Sequence, residues 1–195
     1  FKAGLGINFS HSKSNSSQTD ASATSNVWYS AQLMAPIYPI YYRDRNNNGD
    51  YILDEETGEK IFDYGNKTRP SGQQQNFNSI ATLYDDKYQS ETNNLSGRTH
   101  LSLGGMTTGW SRGISLTANL GFDYYNGNVL QYYNPFFGNA ESVHGRITTQ
   151  NTSSLGLTFN QLFTYNRSFG NHNIDALVGH EWYSYDTKYL LGGKT

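Results

Sequence analysis

The 195-residue sequence predicts an all-β chain, an antiparallel meander of about five long strands. Three observations carry that prediction. Apolar and polar residues alternate with period two over several long segments. No stretch carries an apolar stripe at helical spacing of comparable quality. The connections between the alternating segments are long and short by turns.

The first strand is expected over 1–12, where Phe1, Ala3, Leu5, Ile7 and Phe9 alternate with Lys2, Gly4, Gly6, Asn8 and Ser10. A long loop follows over 13–77, opening with a Ser/Asn-rich run and holding three of the four prolines. The second strand is placed within 79–104, with Leu95, Leu101 and Leu103 set against Ser96, Arg98, His100 and Ser102. Residues 105–111 make a short turn. The third strand, 112–126, has the cleanest pattern: Ile114, Leu116, Ala118, Leu120 and Phe122 against Ser115, Thr117, Asn119, Gly121 and Asp123. A longer loop over 127–148 contains Asn134-Pro135 and Gly138-Asn139. The fourth strand, 150–169, turns at Gly170-Asn171-His172-Asn173 into the fifth, 174–190.

Composition narrows the class. Only 15% of residues are charged, against about 25% in ordinary globular domains. Tyr (16) and Gly (20) are abundant, and so many aromatics argue against disorder over the full length. The net charge of −2, with scattered basic residues, gives nucleic acid no reason to bind. The absence of cysteine excludes a disulfide scaffold and Cys-based zinc sites. No apolar run is long enough for a transmembrane helix, and Phe1-Lys2-Ala3-Gly4-Leu5 opens as strand rather than as a signal peptide.

Period-two alternation fits either of two architectures. A membrane barrel turns its apolar positions to lipid and its polar positions to a wet lumen. A sandwich buries the apolar faces of two sheets against each other. Segments of this length exceed the usual five or six residues of soluble strands. Aromatics near the strand ends (Tyr124, Tyr125, Tyr132, Tyr133, Trp182, Tyr183, Tyr185) also suit an interfacial girdle, so the barrel is preferred. Five strands are too few to close in lipid, where about eight is the minimum, so the chain is expected to be part of a larger barrel.

Specific words in the sequence add a family. Ala35-Pro36-Ile37-Tyr38-Pro39-Ile40-Tyr41, an acidic Asn/Gly stretch and Phe62-Asp63-Tyr64-Gly65 resemble an early barrel loop of SusC-like TonB-dependent transporters. Asn78-Ser79-Ile80-Ala81 is similar to the next family word, although the family usually has Pro where Ser79 stands. The run from Asn160 to His172, followed by Leu177-Val178-Gly179-His180-Glu181, resembles a later strand and turn. The resemblance implies that residues 1–195 are part of a transmembrane β-barrel of about 22 strands in the cell outer membrane. It implies that 13–77 is an extracellular loop, and that the whole imports glycans or peptides. The implied partners are the remainder of the barrel and its plug, a SusD-like lipoprotein, TonB reached through an N-terminal part, and outer-membrane lipid. The alternative from a different class is a soluble β-sandwich carbohydrate-binding module.

No catalytic constellation is present, and an enzyme is not expected. The five histidines are dispersed, and His180-Glu181 lacks the second His of a zinc-protease motif. Asp85-Asp86 are adjacent and point to opposite faces of a strand, which does not suit a glycosidase pair. Asp44, Asn46, Asn48, Asp50 and Glu55 match the ligand spacing of a calcium loop, with Gly49 at its turn, so Ca²⁺ is a candidate cofactor. The bland alternative is an Asn-Gly turn in a solvated loop. Trp28, Tyr29, Tyr132, Tyr133 and Phe136 are candidate substrate-binding residues, with Tyr41, Tyr42 and Phe137 beside them, because aromatic faces stack on sugar rings; loop packing or an interfacial belt is the alternative. Arg98, Asn119, Asp123 and Asn160 share the polar side of their strands, where water alone would explain them.

Overall fold

A computed structural model describes residues 1–17, 26–44, 46–65, 78–104, 109 and 111–194. Five strands form one antiparallel sheet in sequence order. They are β1 (Lys2–Ser16), β2 (Lys87–Leu103), β3 (Ile114–Tyr133), β4 (Arg146–Phe169) and β5 (His172–Lys194). The predicted meander is present, and the strands sit where the alternation is cleanest. The β4–β5 connection is as tight as expected: Gly170, at φ 59, takes the positive dihedral that a two-residue hairpin turn requires. Of the short turn expected over 105–111, residues 105–108 and 110 lie outside the described residues, as does 66–77 of the long loop.

The sheet does not close. β1 and β5 are its two edges, with no ladder between them. This corrects the transmembrane β-barrel, and with it the SusC-like transporter assignment and the outer-membrane location. The physical reason is the backbone: an open sheet leaves rows of unpaired N–H and C=O groups at each edge, and hydrocarbon cannot satisfy them. Among the described residues no helix is long and apolar enough to cross a membrane. The open sheet fits a sandwich-type layer better than a closed barrel.

Two further expectations are corrected. Residues 79–85, expected in the second strand, form helix α2 (Ser79–Asp85), and a second short helix, α1 (Val27–Leu33), lies in the long loop. Both begin at an asparagine whose side chain accepts backbone N–H groups that the first turn leaves unpaired: Asn26 for α1 and Asn78 for α2. Residues 127–133, expected in a loop, extend β3, so the second loop shrinks to 134–145 and carries a 3-10 turn over Gly138–Val143.

The chain divides into two compact units. Unit 1 comprises 1–12, 91–128 and 151–190, and is almost wholly sheet. Its polar face is laced by cross-strand pairs: Ser102 with Thr117 at 3.1 Å, Asn119 with Asn160 at 2.6 Å, and Ser115 with Thr164. Its other face is apolar and uncovered, with Leu5 75% and Val178 67% exposed. Unit 2 comprises 13–90, 129–150 and 191–195, and holds both helices. The buried Tyr64, Ala81, Tyr133 and Ala140 all belong to it.

Candidate functional site

Within unit 2, residues 41–62 fold into three short stretches that pair with one another. Tyr42 N–H donates to the Ile61 carbonyl at 2.9 Å, Ile52 N–H to Tyr42 at 3.0 Å, and Ile61 N–H to Ile52 at 3.2 Å. Two aspartates shape the turns between them. Asp44 accepts the Asn46 N–H at 2.9 Å, and its carbonyl accepts Gly49 N–H at 3.0 Å, with Asn48 (φ 53) and Gly49 (φ 77) in the left-handed region. Asp54 accepts the N–H groups of Thr57 at 2.8 Å and Glu56 at 3.0 Å, and the Thr57 hydroxyl at 3.0 Å. The Thr57 backbone N–H, followed by its hydroxyl and the Glu56 N–H, holds the Asp54 carboxyl below the usual range.

This pairing places Tyr41 opposite Phe62 and Arg43 opposite Tyr51, and so aligns a row of rings. Tyr41 stacks on Phe62 with centroids 5.0 Å apart, and meets Tyr51 edge-on at 6.0 Å. Phe62 in turn lies 5.7 Å from Tyr84 of α2, whose residue is 71% exposed. Two cations flank the far end. The Lys60 ammonium sits 4.0 Å from the Tyr51 ring centroid and the Arg43 guanidinium 4.3 Å from it. Arg43 also donates to the Tyr51 hydroxyl at 2.8 Å and to the Gly49 carbonyl at 3.1 Å, which fixes its orientation.

Asn78 joins Tyr84 to this row. It is 4% exposed, and its amide donates to the carbonyls of Ile40 at 2.8 Å and Asp63 at 3.0 Å, at the two ends of the paired segment. Its side-chain oxygen accepts Ile80 and Ala81 N–H, both at 3.1 Å, starting α2. One side chain therefore caps the helix and anchors it to the loop.

The predicted aromatics are not gathered in the same way. Trp28 (74%) and Phe136 (72%) are exposed, Tyr29 is exposed on α1, and Tyr132 is half-buried. Tyr133 is buried, with the Arg146 guanidinium 5.6 Å from its ring, which makes it a core residue. Phe136 follows Asn134, whose side chain accepts the Phe136 N–H at 2.7 Å; the neighbouring Phe137 stacks on buried Tyr64 at 4.2 Å. Sequence reasoning singled out Tyr41 but missed Tyr51, Phe62 and Tyr84. Alternation of short stretches around Asp44 and Asp54 was the available signal for the first two.

The calcium-loop residues fall in two separate turns. Asp44, Asn46, Asn48 and Asp50 belong to the turn between Arg43 and Tyr51, whereas Glu55 lies in the next turn, headed by Asp54. Arg45 lies outside the described residues. Among the described residues no group of three or more His, Asp or Glu side chains is gathered to hold a metal.

Asp85 and Asp86 converge on the 134–145 loop. Asp86 accepts the Asn134 N–H at 2.8 Å. Burial pushes its carboxyl up to about 6, the Asn134 N–H opposing and the Asp85 charge adding to the rise. Burial raises Asp85 as well.

No protein-family model matches this chain, and no curated protein matches it.

Proposed function

We propose that this chain is a non-catalytic glycan-binding module. The row of rings from Tyr84 through Phe62 and Tyr41 to Tyr51 carries the reading. The apolar face of a sugar ring packs on an aromatic ring, and hydrogen-bonding groups at the margin take its hydroxyls. Here Tyr84 offers an exposed face, while Lys60 and Arg43 supply donors beside Tyr51. Rigid rings also lose little conformational entropy on binding, which suits weak, repeated contacts along a chain ligand.

A glycan array probed with the labelled full chain tests this. Binding to at least one glycan class is expected, with Tyr84→Ala weakening it about tenfold, or about 1.4 kcal/mol. An array without signal, or hits indifferent to Tyr84→Ala, would sink the proposal.

A further inference from the structure

Unit 1 carries a concavity of its own, made of residues other than the aromatic row. On the polar face of β1–β4 a cleft of about 530 Å³ is lined by Arg98, His100, Asn119, Thr158 and Asn160. Glycines on its floor let the neighbouring side chains lie across two positions and leave a third open. The His100 ring lies over Gly4, where a Cβ would clash with it, and the Arg98 stem crosses Gly121, where a Cβ would stand only 3.0 Å from the Arg98 Cδ. A Cβ at Gly6, by contrast, would meet nothing within 4 Å, so its space belongs to the cleft.

The polar groups here are prearranged. The Arg98 guanidinium donates to Asp123 at 2.6 Å and to the carbonyls of Phe122 at 2.8 Å and Gly97 at 2.9 Å. These bonds hold it in place although the Arg98 and Asp123 side chains remain 60% and 59% exposed. Beside them Asn119 donates its amide to Asn160 at 2.6 Å, leaving Asn119 an acceptor and Asn160 a donor to offer. Arg98 lines the cleft, and Asp123, bonded to it, stands beside the lining; the two cancel in charge, so the cleft's margin offers a matched donor and acceptor rather than a net field. A vicinal diol fits that pair: one hydroxyl accepts from the guanidinium while its neighbour donates to the carboxylate. A ligand carboxylate or phosphate would face Asp123 and be repelled.

We infer that this cleft is a second saccharide subsite, taking a neutral pyranose whose vicinal hydroxyls bridge Arg98 and Asp123. The inference rests on the glycan-binding reading of the chain but uses none of the aromatic row. Its volume lies within the range of small-ligand sites, about 300–1,000 Å³.

The test is side-chain amide NMR of the isotopically labelled full chain, titrated with maltohexaose, xylohexaose and laminarihexaose, and with trigalacturonate as the anionic probe. At least one neutral oligosaccharide is expected to shift the Asn119 and Asn160 amides, in the native chain and in Tyr84→Ala alike. Asp123→Asn removes the charge, and Gly6→Leu fills the open space without meeting a neighbour; each is expected to weaken that response about tenfold or more. Shifts confined to the aromatic row would overturn the subsite and leave the module reading standing. A response to trigalacturonate alone would overturn the neutral ligand class. A cleft response unaffected by Gly6→Leu would overturn the location, and silence in both regions would overturn both readings.

Discussion

Unit 1 and unit 2 are held together by different means. In unit 1 nearly all described residues lie on strands, and the buried positions among them are Ser154 and a few glycines. Backbone ladders and polar cross-strand pairs supply its order, and large apolar side chains such as Leu5, Ile7 and Val178 stay exposed. In unit 2 the backbone turns repeatedly, and buried side chains supply the order instead. Asn78, Asp63 and Ser79 are buried and hydrogen-bonded within it, beside Tyr64, Ala81, Tyr133 and Ala140. Regular backbone pairing tolerates single side-chain losses, because each ladder bond is independent of the side chain that carries it. An irregular unit concentrates its order in a few polar side chains, and loses more when one is removed.

The largest break in this contrast is expected at Asn78. Asn78→Ala removes a helix cap and takes the side-chain donor from the buried Asp63 carbonyl and from the Ile40 carbonyl, which keeps the Asp63 N–H. A loss of about 2–4 kcal/mol is expected, combining a helix cap with two lost hydrogen bonds to backbone carbonyls. Hydrogen exchange should accelerate over 78–86 and 40–63 while β3 and β4 keep their protection. Uniform acceleration in both units would remove the distinction.

A buried carboxylate makes unit 2 sensitive to pH as well. Burial pushes the folded carboxyl of Asp86 up to about 6, above the 3.8 of an ordinary aspartate. The folded state therefore binds this proton more tightly than the unfolded chain. The stabilisation is fully present below about 3.8 and is lost as pH rises through about 6. Discounted for partial solvent screening, the loss is about 1–2 kcal/mol. Asp86→Asn keeps an oxygen for the Asn134 N–H while removing the charge, so it should stabilise the protein at pH 7 and flatten that part of the profile. Urea melts at pH 5 and pH 7 on both proteins check it; an unchanged slope in Asp86→Asn would show that Asp86 is not the group responsible.

The smallest effect is expected on the sheet. The Arg98–Asp123 pair is well over half exposed, and Asp123→Asn should cost under about 1 kcal/mol, shrinking further in high salt. A thermal shift as large as that of Asn78→Ala would mean that unit 1 also relies on single side chains.

Much of the sheet was legible because alternation is a local property. Ile114 to Phe122 announce their strand without reference to any partner. The errors arose where a local signal was outvoted. Residues 79–85 contain Ile80, Leu83 and Tyr84, which read plausibly as strand, yet Asn78 caps a helix there because its amide is already committed to Ile40 and Asp63. Tyr133 looked like an available loop aromatic and is instead buried at the end of β3 beside Arg146. The aromatic row was the least legible feature. Tyr41, Phe62 and Tyr84 are far apart in sequence, and only pairing around two Asp-headed turns and the Asn78 anchor brings them together.

Residue order alone is enough to establish an all-β framework, with strands near the observed positions and a polar and an apolar side on each. Period-two alternation sets which way each side chain points once a strand forms. That β1 and β5 remain edges, that the chain divides into two units, and which polar and aromatic residues meet are settled by the folded backbone. Closure and convergence depend on pairing between distant segments, and that pairing is a property of the assembled backbone rather than of any one stretch of residues.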